Sequence, residues 1–481
     1  MTAQYDLVLR NGRVMDGSGS TSVQADLAVT GDKITAIDKI PPGSGKTEID
    51  ISGMAVAPGF IDAHTHDDRA LLSSPDMPAK ASQGVTTVIT GNCGISLAPL
   101  SLRADPPPPL DLIGDQGWYK FDKFGDYLDA LDASPPALNA ACLVGHSTLR
   151  VGAMDDLGQA ANDAELATMR DRFQEALDDG AIGLSSGTFY PPSVAAPTSE
   201  VASLAALAGA AGGVYTTHMR DETDRVMDSI HESIEIAETG GVPLIISHHK
   251  VAGKANHGRT LQTLPLIQDA MDRQRIGLDV YPYVASSSIL SAARAATAER
   301  VLIAWSTNAP EMAGRDLTDI AADWGVTEDD AVEKLNPAGA VYFLMSEDDV
   351  RRVLQFPHTM VGSDGLPHDS HPHPRLWGTF PRVLGHYARD VGLFPMEEAV
   401  RRMTSLTAAR FGLTGRGRIA PGAYADLVVF DPETVADLAT FETPETPAAG
   451  IHMVFVNGQI IWRDGASTGA RPGRALRRQN H

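Results

Sequence analysis

A chain of 481 residues is about three times the length of a usual domain, so it holds several domains or one large barrel with additions, and a lone small binding module is excluded. Its 43% hydrophobic content, broken by 45 Gly and 31 Pro, belongs to a globular protein rich in turns. With 39 Lys and Arg against 61 Asp and Glu the formal charge is −22, which repels phosphate backbones and anionic membranes and argues against nucleic acid as a partner.

Met1 to Val14 has no basic segment leading into an apolar one, and no run of about 18 uncharged apolar residues follows. Only Cys93 and Cys142 occur, too few for a disulfide framework, so a cytoplasmic location is expected. Residues 5–11 partly alternate in polarity before Gly12. Ala25–Val29 and Ile34–Ile37 repeat that short-strand pattern around Gly31-Asp32. The same texture returns at Ala425–Asp431 and Met453–Gly458, predicting a β-sandwich built from residues 1–56 plus 416–481.

The middle, 57–415, alternates strand-length apolar runs with helical patterns. From Asn162 to Gly180 a capping residue precedes Leu166, Met169, Phe173 and Leu177 at spacings of three and four, and Gly180 supplies the stop: an amphipathic helix. Apolar runs begin near Val56, Val85, Ala140, Ala181, Val214, Val242, Ile276 and Thr359. Eight parallel strands alternating with helices imply a (β/α)8 barrel. From Val284 to Tyr342 no strand stands out, only helical patterns at Ala293–Ala304 and Asp329–Leu335. That is too long for an ordinary barrel loop, so 284–342 is expected to be an insertion acting as a lid.

Catalytic groups in such a barrel stand at the carboxyl ends of its strands. The first strand ends in His64-Thr65-His66, the second in Cys93, the third in His146, the fifth in His218, the sixth in His248-His249-Lys250 and the eighth in Asp364. His64 and His66, two residues apart, share one side of an extended strand and can grip one ion. Cys93 with His218 and His248 makes an N₂S set suited to Zn²⁺ with an open fourth position, whereas Cys142 reads as core. Strand parity does not settle which of His248 and His249 points inward. Asp364 can serve as base and then acid beside a metal site. For an anionic substrate group, Lys250 falls two residues past His248, Arg375 offers a bidentate clamp, and Tyr190 and Tyr281 offer phenolic donors.

Ala57-Pro-Gly-Phe-Ile-Asp-Ala-His-Thr-His66, the strand-end histidines, Gly362-Ser-Asp-Gly365 and Gly415–Val428 resemble the amidohydrolase superfamily over essentially the whole chain. More narrowly, Gly91-Asn-Cys-Gly94, His218-Met-Arg-Asp-Glu222, Ser247-His-His-Lys250, Tyr281-Pro-Tyr283 and His371–Phe380 look like the N-acyl-D-amino-acid deacylases (D-aminoacylases). The resemblance implies a distorted TIM (β/α)8 barrel with a small β-sandwich. It also implies a tight zinc on Cys93, His218 and His248, a weaker second site at His64 and His66, and Asp364 as proton shuttle. Lys250, Arg375, Tyr190 and Tyr281 would bind the substrate carboxylate. The implied reaction is zinc-dependent hydrolysis of N-acyl-D-amino acids, with Arg294 a candidate partner for an acidic side chain. Two rival readings are a cyclic-amide hydrolase of the hydantoinase or dihydroorotase type and a non-catalytic scaffold. Ala181–Gly187 lacks the lysine of the former, and the latter has no need of the metal ligands.

Overall fold

The computed structural model describes residues 4–478. Eight barrel strands run in chain order: β1 (Phe60–Asp62), β2 (Val85–Thr90), β3 (Asn139–Cys142, resuming at Val144–Gly145), β4 (Gly183–Gly187), β5 (Val214–His218), β6 (Leu244–Ile246), β7 (Ile276–Val280) and β8 (Thr359–Val361). All are buried along their length, as parallel strands covered by helices must be. Sequential neighbours pair in parallel. The ring closes where Ala63 N donates to Val361 O at 3.2 Å and Asp364 N donates to His64 O at 2.8 Å.

The helix Asp163–Asp179 forms where its pattern predicts. Asn162 and Glu165 cap each other in a capping box, Met169, Phe173 and Leu177 are buried, and Gly180 ends the helix at φ 115°. Strands from both chain ends join in one nine-stranded sheet. Tyr5–Val14 pairs with Val23–Thr30 and Ala55–Pro58, and the latter pairs with Leu427–Phe430, which continues to Ile451–Val456. Leu9, Leu27 and Val56 pack there with Leu427, Val429 and Phe455 in one core. Val56, expected to open the first barrel strand, therefore lies in this sheet, and the barrel begins at Phe60. The apolar run from Ala55 to Ile61 serves two sheets in succession, a change of partner that composition does not reveal. Gly59 marks the crossing, where a Cβ would stand 2.1 Å from Thr86. The two bodies are tied by a buried polar knot. Asn457 donates to Asp426 (2.8 Å) and to Asn139 of β3 (2.8 Å), while Arg416 pairs with Asp426.

Between β7 and β8 the expectation of helical patterns alone is overturned. Ala285–Ile289, Arg300–Ser306 and Ala338–Phe343 form a three-stranded antiparallel sheet with Ala338–Phe343 at its centre. The helix expected over Ala293–Ala304 is confined to Ala292–Ala295, whereas Glu328–Leu335 is helical as its pattern indicates. The first of these strands, Ala-Ser-Ser-Ser-Ile, has few β-favouring residues and exists through pairing with residues about fifty positions away. Among the described residues no helix is long and apolar enough to cross a membrane.

Candidate metal and hydrolytic site

The carboxyl ends of the strands deliver their side chains by two kinds of backbone. His64 and His66 follow β1 past a bend at residues 63–64, where Thr65 N donates to Ile89 O (3.1 Å) and keeps the segment beside β2. Cys93, His248 and Asp364 instead lie just beyond β2, β6 and β8 with φ of 55°, 35° and 50°. Left-handed backbone is uncommon for side-chain-bearing residues. It reverses the chain so that each of these three turns into the barrel mouth.

Two groups result that share one sulfur. His64, His66, Cys93 and Asp364 form one, and Cys93, His218 and His248 the other, with ligand-capable atoms within 4.8 Å of one another in each. Cys93 Sγ lies 3.2 Å from His64 Nε2 and 3.4 Å from His248 Nε2. Both ring nitrogens of His218 are buried without a hydrogen-bond partner, Nε2 lying 3.8 Å from Glu222 Oε2. Burial opposes ionisation of the Cys93 thiol, yet the His64 and His248 rings hold it well below its ordinary value. Burial likewise opposes charge on His66, but Asp364 and Cys93 raise it to about 9. The pocket thus holds buried anions with imidazoles facing them: the anions raise the pKa of His64, His66 and His248 against the effect of burial, whereas burial lowers that of His218. A thiolate, imidazoles with free nitrogens and a carboxylate are the donors zinc prefers, so the residues fit that ion.

Partners behind the ligands fix their rings. Glu222 Oε1 accepts from Lys250 Nζ at 2.7 Å and lies 3.0 Å from His248 Nδ1, which Lys250 Nζ also approaches to 2.9 Å, while His248 Nε2 faces Cys93. Asp279, at the end of β7, lies 3.5 Å from His64 Nδ1 and accepts from His248 N at 2.9 Å. Beneath them Lys80 Nζ donates to Asp62 (2.8 Å) and to Ser363 Oγ (2.6 Å), tying β1 to the residue before Asp364. Sequence reasoning missed Glu222, Asp279 and Lys80. Glu222 alone left a trace, inside the His218–Glu222 motif.

Asp364 Oδ1 is 3.2 Å from His66 Nε2 and 3.4 Å from His64 Nε2, and its Oδ2 is 2.8 Å from Arg375 Nη1. Burial works against its charge, but the Arg375 guanidinium and the histidines keep the carboxyl well below the usual range. Arg375 is fully buried and stacks on Tyr281 at 4.4 Å. A cavity of about 20 Å³ opens onto the cluster, walled by Cys93, Tyr190, His218, Lys250, Tyr281 and Asp364, with Ser286–Ser288 and Arg294 of the insertion over it. Arg375 is not in that wall. Arg294 donates to Ser286 Oγ (3.0 Å), and its Nε is unpartnered. Other candidates stand apart. His146 is bound to Glu200 at 2.9 Å, His249 to Thr263 at 2.8 Å, and Cys142 is core, its thiol pushed by burial up to about 12.

A model of an amidohydrolase family matches residues 47–272 and 327–462. The chain belongs to this family. It is 56% identical over 474 residues to a D-aminoacylase of Alcaligenes xylosoxydans xylosoxydans, covering 98% of each protein. To an N-acyl-D-aspartate deacylase of the same organism it is 50% identical over 476 residues, covering 98% of this chain and 95% of that one. Its structure superposes with TM-score 0.96 on a crystal structure of N-acyl-D-glutamate deacylase from Bordetella bronchiseptica complexed with zinc and a phosphonate inhibitor. That protein is 44% identical, with 98% of this chain and 100% of the other covered.

Proposed function

We propose that the chain hydrolyses N-acyl-D-amino acids in a zinc-dependent reaction, releasing a carboxylate and a free D-amino acid. The observation that carries this reading is the single sulfur of Cys93 shared by two ligand groups, one of them containing Asp364. Its fit with full-length relatives named for deacylation of N-acyl-D-amino acids supplies the substrate class and its handedness. Cys93, His218 and His248 hold the tight zinc. His64 and His66, with Asp364 and the shared sulfur, hold a weaker second site.

Bound zinc supplies a Lewis acid that makes water a nucleophile near neutral pH and polarises the acyl carbonyl. Asp364, kept charged by Arg375, accepts the water proton on Oδ1 and then delivers it to the leaving nitrogen. Lys250, Tyr190 and Tyr281 take the substrate carboxylate at the cavity wall. The Nε of Arg375 has no partner and lets it assist beside its Asp364 contact. Arg294, with its own free Nε, suits an acidic side chain, as in N-acyl-D-aspartate or N-acyl-D-glutamate. A reduced thiol at the centre accords with a cytoplasmic location.

A panel of N-acetyl-D- and N-acetyl-L-amino acids with hydantoins, assayed at defined zinc content, tests the reading. Turnover of the D series alone, rising with zinc up to about one equivalent, is expected. Preference for hydantoins or for the L series overturns it.

A further inference from the structure

In a chain of net charge −22, positive charge collects at the face of the barrel opposite the histidine cluster. A cavity of about 510 Å³ opens there beside Ile182, Val214 and Pro243, at the amino ends of β4, β5 and β6. Six arginines line it: Arg275, Arg410, Arg416, Arg474, Arg477 and Arg478. Three are matched within the fold, Arg416 by Asp426, Arg474 by Asp32 (2.8 Å) and Arg477 by Asp132 (2.6 Å). Arg275, Arg410 and Arg478 have no carboxylate within ion-pair distance among the described residues. Arg478 gives its two Nη groups to the carbonyls of Ala211 (2.6 Å) and Leu177 (2.8 Å), while its buried Nε finds no partner. Among the described residues the one hydrogen-bond partner of the Arg410 side chain is the His358 ring at 3.4 Å, and burial together with the Arg275 and Arg401 charges pulls its pKa below the ordinary value.

Like charges gathered without counter-charge repel one another, a cost that a bound anion would cancel. The cavity has the size of a small-molecule site, and forked guanidinium groups match phosphate oxygens in bidentate fashion.

We propose that this cavity binds a small multivalent phosphate, a diphosphate or an organic phosphate, at a site separate from the hydrolytic centre. The test is titration calorimetry of the zinc-loaded protein with inorganic pyrophosphate at low ionic strength, and with citrate as the carboxylate rival. Binding near one equivalent is expected, weakened about tenfold or more in Arg275→Ala and Arg410→Ala and weakened less in Arg410→Lys, which keeps the charge but loses the fork. Deacylase turnover without pyrophosphate should be unchanged in all three. Arg275 is exposed and makes no ion pair, so its variant folds. Any stripping of zinc by pyrophosphate is common to every protein compared. No binding to the wild type, equal binding by the alanine variants, or tighter binding of citrate than of pyrophosphate overturns the proposal.

Discussion

Cys93, His248 and Asp364 each occupy a backbone conformation that costs a non-glycine residue about 1–3 kcal/mol, and the cost falls where three strands must turn a donor inward. Because Cys93 belongs to both ligand groups, Cys93→Ala should lose bound zinc, measured by metal analysis, together with turnover. Asp364→Asn should keep the tight zinc while kcat falls by about 10²–10⁴-fold. Wild-type turnover in either variant contradicts the assignment. Glu222→Gln removes the negative charge beside His248 Nδ1 and Lys250 Nζ and should weaken zinc binding about 10–100-fold in a chelator competition. The Glu200 carboxyl predicts a pH effect on stability. Burial opposes its charge, but hydrogen bonds from His146 and Arg150 hold it at about 2, below its ordinary 4.5. Its contribution is therefore full above about pH 4.5 and is lost as pH falls toward 2. Denaturant melts of Glu200→Gln should show less acid sensitivity there than the wild type. His64, His66, Cys93, His218, His248 and Asp364 were legible because reactive residue types stand at predicted strand ends. Glu222, Asp279 and Lys80 were not, since a carboxylate or amine behind a ligand is chosen by proximity in space. The two-residue spacing from His248 to Lys250 is not strand spacing: β6 ends at Ile246, and His248 lies in a left-handed turn. Lys250 reaches the cavity through that turn, gripped by Glu222.

Among elements, the sequence was clearest where signals are local. The helix Asp163–Asp179 carried its cap, its buried stripe and its stop within twenty residues, and the barrel strands other than β1 begin within two residues of the predicted positions. The sheet of the insertion was hidden because its strands exist only as pairs. That sheet has a functional reading: a cavity of about 20 Å³ holds little more than one water, so Ser286–Ser288 and Arg294 must shift to admit an N-acyl amino acid. Limited proteolysis within 284–342 should therefore change both substrate affinity and turnover, and cleavage that alters neither refutes the lid. Arg294→Ala should lower kcat/KM for N-acetyl-D-glutamate about tenfold or more relative to an apolar D-substrate. Equal turnover of N-acetyl-D-glutamate by variant and wild type removes Arg294 from the side-chain pocket.

At the scale of the whole molecule, the residues proposed as ligands follow β1, β2, β5, β6 and β8, so ions held by the two groups would staple distant parts of the ring. Zinc at 100 times its Kd should add about 2.7 kcal/mol to stability, and chelation should lower Tm correspondingly in a thermal melt. The nine-stranded sheet imposes an order on assembly as well. Ala55–Pro58 has Tyr5–Val14 on one side from the start but gains its other neighbour, Leu427–Phe430, only late in the chain, so Leu9, Leu27 and Val56 leave the ribosome with about half their core still unmade. At ordinary synthesis rates that wait is on the order of tens of seconds. The earliest strands are thus the last to be sealed, and a nascent chain truncated before residue 427 presents an unfinished apolar face for chaperones to hold.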